Sequence, residues 1–221
     1  MMINEERIAA YINSLDRGLS PQLYESEKEA VKAEVPIIGK ETQRVIRFLL
    51  TLIKPKRILE VGTAVGFSAL FMSEHSPADC MITTIEKVPM RLAEARKNLK
   101  DERFPDRGKI TLKEGEALGI LRELAAAGEK YDFIFLDAAK GQYMNFLPEL
   151  MKLLVPEGIL VTDNVLQDGT VINSKFSITR RDRTIHMRMR EYLYTITHMD
   201  ELETLILPVG DGIAVSYRKP A

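Results

Sequence analysis

Between residues 57 and 163, five short runs of strand-forming residues alternate with helical stretches, and this rhythm restricts the fold more than any other feature of the chain. The runs are "RILEV" (57–61), "MITTIE" (81–86), "KITLKE" (109–114), "YDFIFLD" (131–137) and "GILVTD" (158–163). They are separated by "SALFMSEH", "VPMRLAEARKNLK", "ALGILRELAAAG" and "QYMNFLPELMKLLV". Short apolar strands joined by crossover helices form a parallel sheet covered on both faces. A helix is expected around 183–198, and "LETLILPVGDGIAVSYR" reads as two further strands joined by a Gly-Asp-Gly turn. The sheet is then α/β and seven-stranded, with the last two strands forming an antiparallel hairpin. The first fifty-odd residues read as helices: Ile8, Tyr11, Ile12 and Leu15 recur at helical spacing, "SPQLYESEKEAVKAE" opens on Ser-Pro, and Val45, Ile46, Leu49, Leu50 and Ile53 stripe "GKETQRVIRFLLTLI". The 221 residues suit one domain over 1–221, with 1–54 as a helical extension packed on it.

Charge and cysteine content narrow the partners. The net charge of -1 predicts neither a nucleic-acid nor a membrane partner from overall balance, so any such binding rests on a local patch. The one cysteine, Cys80, rules out an internal disulfide and a thiolate metal cluster, and suits a reducing compartment. "MMINEERIAAYI" has no apolar signal core, and no apolar run approaches the ~20 residues of a membrane span. A cytoplasmic protein without a membrane partner is expected.

In open α/β sheets, ligands bind beyond the carboxyl ends of the strands. Those ends carry Glu60, Glu86, Glu114, Asp137 and Asp163. After the first strand, "LEVGTAVGFSAL" places Gly62 and Gly66 in the turn into the next helix. The turn is neither a G-x-G-x-x-G dinucleotide fingerprint nor a phosphate-binding P-loop. Glu86, about 20 residues past the glycine loop by the usual spacing, is placed to accept hydrogen bonds from both hydroxyls of a ribose. Its other reading is a charge at the N-terminus of the helix that follows. A nucleoside cofactor without a pyrophosphate needs no phosphate cradle, and S-adenosylmethionine fits that description.

The ordered set "LEVGTAVGFSAL…TTIE…EGEAL…DFIFLDAAKGQY…LVTDNVL…LPVGDGIAVS" resembles the metal-dependent class I O-methyltransferases of the catechol and caffeoyl-CoA type over about residues 35–218. The resemblance implies a Rossmann-like sheet of order 3-2-1-4-5-7-6 with the last strand antiparallel. It also implies S-adenosylmethionine as methyl donor and one divalent cation, Mg²⁺ or another such as Mn²⁺. Carried over, Gly62 and Gly66 line the cofactor loop, Ser68 contacts the methionine carboxylate, and Glu86 takes the ribose. Gly115, Glu116 and Ala117 flank the adenine. Ile38 packs near the methionine end, or else simply fills the core. Glu60 orients the loop and the cofactor's amino group.

The resemblance places Asp137, Asp163 and Asn164 around the cation, with Asp137 also beside the cofactor. The residue types agree, because hard cations take carboxylate and carbonyl oxygens. The three histidines are scattered along the chain and give zinc no support. Read alone, Asp163-Asn164 is a turn. Lys140 is implied as the base that takes a proton from the acceptor hydroxyl; its plain reading is a solvated loop lysine.

Two oxygens on one cation favour an acceptor with adjacent oxygens. The chain resembles the bacterial tRNA 5-hydroxyuridine methyltransferases within this family in its length and in the loop after Asn164. The leading expectation is therefore methylation of the 5-hydroxyl of 5-hydroxyuridine at the tRNA wobble position, giving 5-methoxyuridine. The segment "QDGTVINSKFSITRRDRTIHMRMREYLY" carries Lys175, Arg180, Arg181, Arg183, Arg188 and Arg190, with Phe176 available for stacking, which suits a phosphate backbone. The arginines read equally as a solvated helix face beside Asp182 and Glu191. Small Ala138 and Ala139 stand where catechol enzymes carry bulky gatekeepers, so the site is expected to be open. The alternatives are a small catechol-like or caffeoyl-CoA-like diol, and a nucleoside-binding module without catalysis. A homodimer is implied by the resemblance alone.

Overall fold

The computed structural model describes residues 5–104, 109–167, 169–174, 179 and 182–220. Among these, seven strands form one sheet: β1 (Arg57–Val61), β2 (Met81–Glu86), β3 (Ile110–Glu114), β4 (Tyr131–Leu136), β5 (Leu154–Thr162), β6 (Leu202–Leu207) and β7 (Ile213–Arg218). Their order is β3-β2-β1-β4-β5-β7-β6, as the resemblance leads one to expect. β1 to β5 pair in parallel, and β7 runs antiparallel to both β5 and β6.

The central strands are mostly apolar because both of their faces are covered. Leu59, Val61, Ile134 and Leu136 pack on one side with Leu121, Leu147, Leu150, Tyr192 and Ile196. These last residues belong to α6 (Ala117–Ala126), α7 (Tyr143–Leu153) and α8 (Arg183–His198). Ile58, Phe133, Phe135 and Val161 face the other way, against Leu23, Ile46, Leu50 and Phe71. Those come from α2 (Pro21–Lys32), α3 (Lys40–Ile53) and α4 (Phe67–Glu74), while α5 (Pro89–Asn98) supplies buried Leu92 and Ala95. α2 begins where the Ser-Pro signal predicts: Pro21 opens the helix and Ser20 Oγ accepts from Leu23 N at 3.3 Å.

Two local readings differ from the sequence expectation. β5 begins at Leu154, directly after α7, whereas the pattern places helix through 155 and strand from 158. Leu154 is fully buried and pairs with Tyr131, and the register then steps before Phe133 meets Ile159. Pro156 disfavours helix at the residue before it, so the chain extends early and bulges at Glu157, whose φ is 65°. α1 (Glu5–Ser14) is a helix as expected, but its stripe of Ile8, Tyr11, Ile12 and Leu15 is exposed. Polar contacts join this region to α3: Arg44 donates to Ile12 O at 2.8 Å, Asn13 Nδ2 to Glu41 at 2.9 Å, and Arg47 pairs with Asp16.

The strand tips are held level by a relay of backbone bonds. Gly62 N donates to Ile85 O at 3.0 Å, Asp137 N to Val61 O at 3.0 Å, and Asp163 N to Leu136 O at 3.0 Å. Side chains that are scattered in sequence are thereby brought to one edge.

Candidate active site

Gly62 is set by this close approach. Its φ is 111°, and a Cβ there would lie 1.9 Å from the carbonyl oxygen of Asp137. The β1 and β4 tips therefore touch only because residue 62 has no side chain. Gly66, at φ 89°, leads into α4 with Leu99 packed over it. Beneath the loop, Glu60 is fully buried. Burial pushes its carboxyl up to about 7, with the hydroxyls of Ser68 and Thr84 pulling it down and the charges of Asp137 and Glu86 adding to the rise. Its Oε1 has no hydrogen-bond partner. Ser68 is buried and interacts with Glu60, and neither Ser68 nor Gly66 lines the cavity described next.

A cavity of about 900 Å³ opens above the tips of β1 to β5. One lobe is walled by Gly62, Ala64, Glu86, Gly115, Glu116 and Ala117, with Ile38 also on its lining. Glu86 shows both roles that its position suggests. Oε2 accepts from Ala64 N at 2.9 Å, which fixes the loop after β1. Oε1 accepts from Lys87 N and Val88 N, each at 2.9 Å, at the start of α5. An ionised carboxylate has about four acceptor sites, so it retains capacity for a ligand hydroxyl. Glu116 is exposed and paired with Lys87 at 3.1 Å. Glu114, grouped with the other acidic strand ends in the sequence, lies outside the cavity in an ion pair with Arg96. β3 is the sheet edge, and its last side chain reaches the neighbouring helix α5 instead.

The other lobe is lined by Asp137, Ala138, Ala139, Lys140, Asp163 and Asn164. Asp137 and Asp163 each follow directly on a strand end, from the adjacent strands β4 and β5. Burial raises the Asp137 carboxyl, against the pull of Lys140 and Arg91. Asp163 is pushed up to about 7, first by burial and then by the charge of Asp137. Asn164 adopts φ 60°, which asparagine tolerates, and its N–H donates to Asp163 Oδ1 at 2.8 Å. Tyr143 Oη bridges Ala138 O and Asp163 O, both at 3.3 Å, and ties the two tips together.

A buried and a half-buried carboxylate that repel each other, beside a carboxamide, make a donor set that fits a hard divalent cation. Among the described residues no three His, Cys, Asp or Glu side chains are placed to hold a metal ion. Any cation at these tips would therefore take the mixed carboxylate and carboxamide set.

Asp211, in the turn between β6 and β7, also lines this lobe and meets Lys140 Nζ at 2.9 Å. Sequence reasoning saw that segment only as a Gly-Asp-Gly turn. The signal present was an acidic residue in the turn just before β7, the strand that the fold inserts beside β5. Arg183 opens α8, Arg188 donates to Gly141 O at 2.8 Å, and Arg190 donates to Val171 O at 3.2 Å; none of the three lines the cavity. Arg188 and Arg190 thus anchor the helix to the neighbouring loops. Lys175, Phe176, Arg180 and Arg181 lie outside the described residues.

A sheet of this order, with a glycine turn after β1, an acid ending β2 and one cavity over the central tips, defines a class I methyltransferase. The O-methyltransferase family model matches residues 13–219, and the chain belongs to that family. It is 29% identical to a catechol O-methyltransferase of Niastella koreensis, over 76% of each chain. It is also 29% identical to a caffeoyl-CoA O-methyltransferase of Stellaria longipes, covering 98% of this chain and 92% of that one. A methyltransferase of Podospora anserina solved with SAH bound superposes with a TM-score of 0.83 at 26% identity, covering 100% of this chain and 98% of the other. Among the described residues no helix is long and apolar enough to cross a membrane.

Proposed function

We propose that this O-methyltransferase uses S-adenosylmethionine and a divalent cation, Mg²⁺ or Mn²⁺, to methylate a hydroxyl that has a second oxygen beside it. The continuity of the two lobes supports this reading: one cavity joins the Glu86 side to the Asp137, Lys140, Asp163 and Asn164 side. It is large enough for a ligand of drug-like size. Glu86 would take the ribose, while Gly62, Gly115, Glu116, Ala117 and Ile38 surround the nucleoside and methionine. Glu60 supports the loop from beneath, with Ser68 acting beside it. Asp137, Asp163 and Asn164 would hold the cation. When bound, the cofactor supplies a methyl group whose bonding pair returns to sulfur, and the cation supplies Lewis acidity that favours the acceptor's ionised form. Lys140 receives the proton of the acceptor hydroxyl. Alignment of the acceptor with the methyl group by the fixed strand tips carries much of the rate.

We further propose 5-hydroxyuridine at the tRNA wobble position as the acceptor. Two features support it: small Ala138 and Ala139 line the acceptor lobe, and α8, which carries Arg183, Arg188 and Arg190, meets the turn after Lys140 through Arg188. The catechol and caffeoyl-CoA relatives favour a second reading, a small phenolic diol. Labelled cofactor with Mg²⁺ and either hydroxyuridine-containing tRNA or catechol separates the two. Label in the tRNA supports the first reading; label in catechol alone overturns it. Label in neither overturns both in favour of a binding module. We also propose a homodimer, supported by the exposed apolar stripe of α1 and by exposed Phe48 and Leu52 on α3. A monomeric mass by light scattering would refute it.

A further inference from the structure

We infer that Asp211 is the residue that positions Lys140 for catalysis, acting across the sheet from the β6–β7 turn. The inference rests on the reading of Lys140 as the proton acceptor. A lysine side chain has four rotatable carbons and no preferred direction in an open cavity. Here Nζ donates to Asp211 Oδ2 at 2.9 Å, from a residue 71 positions away in sequence. The two side chains are 32% and 19% exposed, so the pair adds little to stability, and its consequence is placement.

The carboxylate itself is rigidly mounted. Leu166 N donates to Asp211 O at 2.9 Å, Val165 N to Gly212 O at 3.0 Å, and Gly212 N to Val209 O at 2.9 Å. Residue 212 must be glycine for this docking, because its φ is 86° and a Cβ would lie 2.3 Å from Leu166 Cγ. The turn is therefore locked onto the segment that follows Asp163 and Asn164. Asp211 and the proposed cation ligands move as one body, and Lys140 is referenced to that body by its amine. At the other end, Arg188 holds the carbonyl of Gly141 at 2.8 Å and fixes the backbone next to Lys140. The amine is thus constrained from both the main chain and the head group.

In the resting pair Nζ donates to Asp211 Oδ2. Before the acceptor's proton can be received, the Nζ–H bond facing the carboxylate breaks and that proton leaves through Asp211 to water. The freed nitrogen pair then forms the new N–H bond as the acceptor's O–H bond breaks. Asp211 returns to its ionised form in each cycle, so the proton count balances.

The test uses D211N, D211E, K140M and the double variant D211N/K140M of the full chain. The first readout needs no turnover: trace acetylation of the cofactor-free protein with acetic anhydride, followed by peptide mass analysis. Lys140 is expected to label several-fold faster in D211N than in wild type, relative to the other lysines. An unchanged ratio overturns the inference. The second readout is kcat with the acceptor, catechol or hydroxyuridine-containing tRNA, that takes label in the assay above. D211N is expected to lower kcat at least tenfold with KM for the cofactor within twofold, and D211E to recover part of the loss. K140M is expected to lose 10²-fold or more, in the range general bases contribute. Adding D211N to K140M should then cost nothing further, because Asp211 acts through the lysine. Losses that multiply, or a changed cofactor KM, would make Asp211 a structural residue and overturn the inference. A K140M enzyme with full kcat would instead remove the base reading while leaving the labelling result intact.

Discussion

Replacing Glu60 with glutamine tests how the loop after β1 is supported. Glu60 is fully buried, its carboxyl is pushed up to about 7 by that burial, and Oε1 has no partner. The ordinary value in the unfolded chain is 4.5. Between the two values the folded chain keeps a proton that the unfolded chain has released. Stability from this group is therefore fully present below 4.5 and is lost as pH rises through about 7. At about 1.4 kcal/mol per tenfold change, the loss by pH 8 is roughly 3 kcal/mol. Glutamine carries no such titration. Its amide nitrogen, placed where Oε1 lacks a partner, costs the same at every pH and cancels when one pH is compared with another. Urea unfolding of wild type and E60Q in EDTA, at pH 4 and pH 8, measures the difference directly. E60Q is expected to gain about 3 kcal/mol on wild type across that range. A constant difference between the two proteins would show that Glu60 is not the buried, proton-holding group its surroundings imply.

Gly62→Ala drives a Cβ into the Asp137 carbonyl at 1.9 Å, and is expected to cost more than about 3 kcal/mol in denaturant unfolding and to abolish SAH binding; an alanine variant within about 0.5 kcal/mol of wild type would refute the contact. Mg²⁺ at about a hundredfold over its dissociation constant should stabilise wild type by roughly 2.7 kcal/mol, and the gain should vanish in D163A. A gain that survives in D163A moves the cation elsewhere. Glu86→Gln removes the charge that receives three backbone N–H groups, and should weaken SAH binding at least tenfold by calorimetry. Unchanged affinity would leave Glu86 as a cap of α5 alone.

The strands, their order of appearance and the acidic residues at their tips were legible in the sequence because burial on both faces demands continuous apolar runs. Asp137 and Asp163 were visible for the same reason, since each directly follows a strand, whereas Lys140 was singled out only by the resemblance. The early start of β5 was not visible, since a bulge at Glu157 lets Leu154 pair before the pattern resumes. Nor was the exposed stripe of α1, whose periodicity says that it is a helix but not what covers it.

What the chain determines by itself is local: periodicity, turn chemistry and the residue at the end of each strand. Which of those ends share a cavity is a property of strand order. β3 at the edge turns Glu114 to Arg96, whereas central β1, β2, β4 and β5 gather Glu86, Asp137 and Asp163. β7, inserted beside β5, carries the preceding turn to the same edge, so Asp211 reaches Lys140 across 71 residues. No spacing rule encodes that meeting; the hydrogen-bonded order of the sheet creates it.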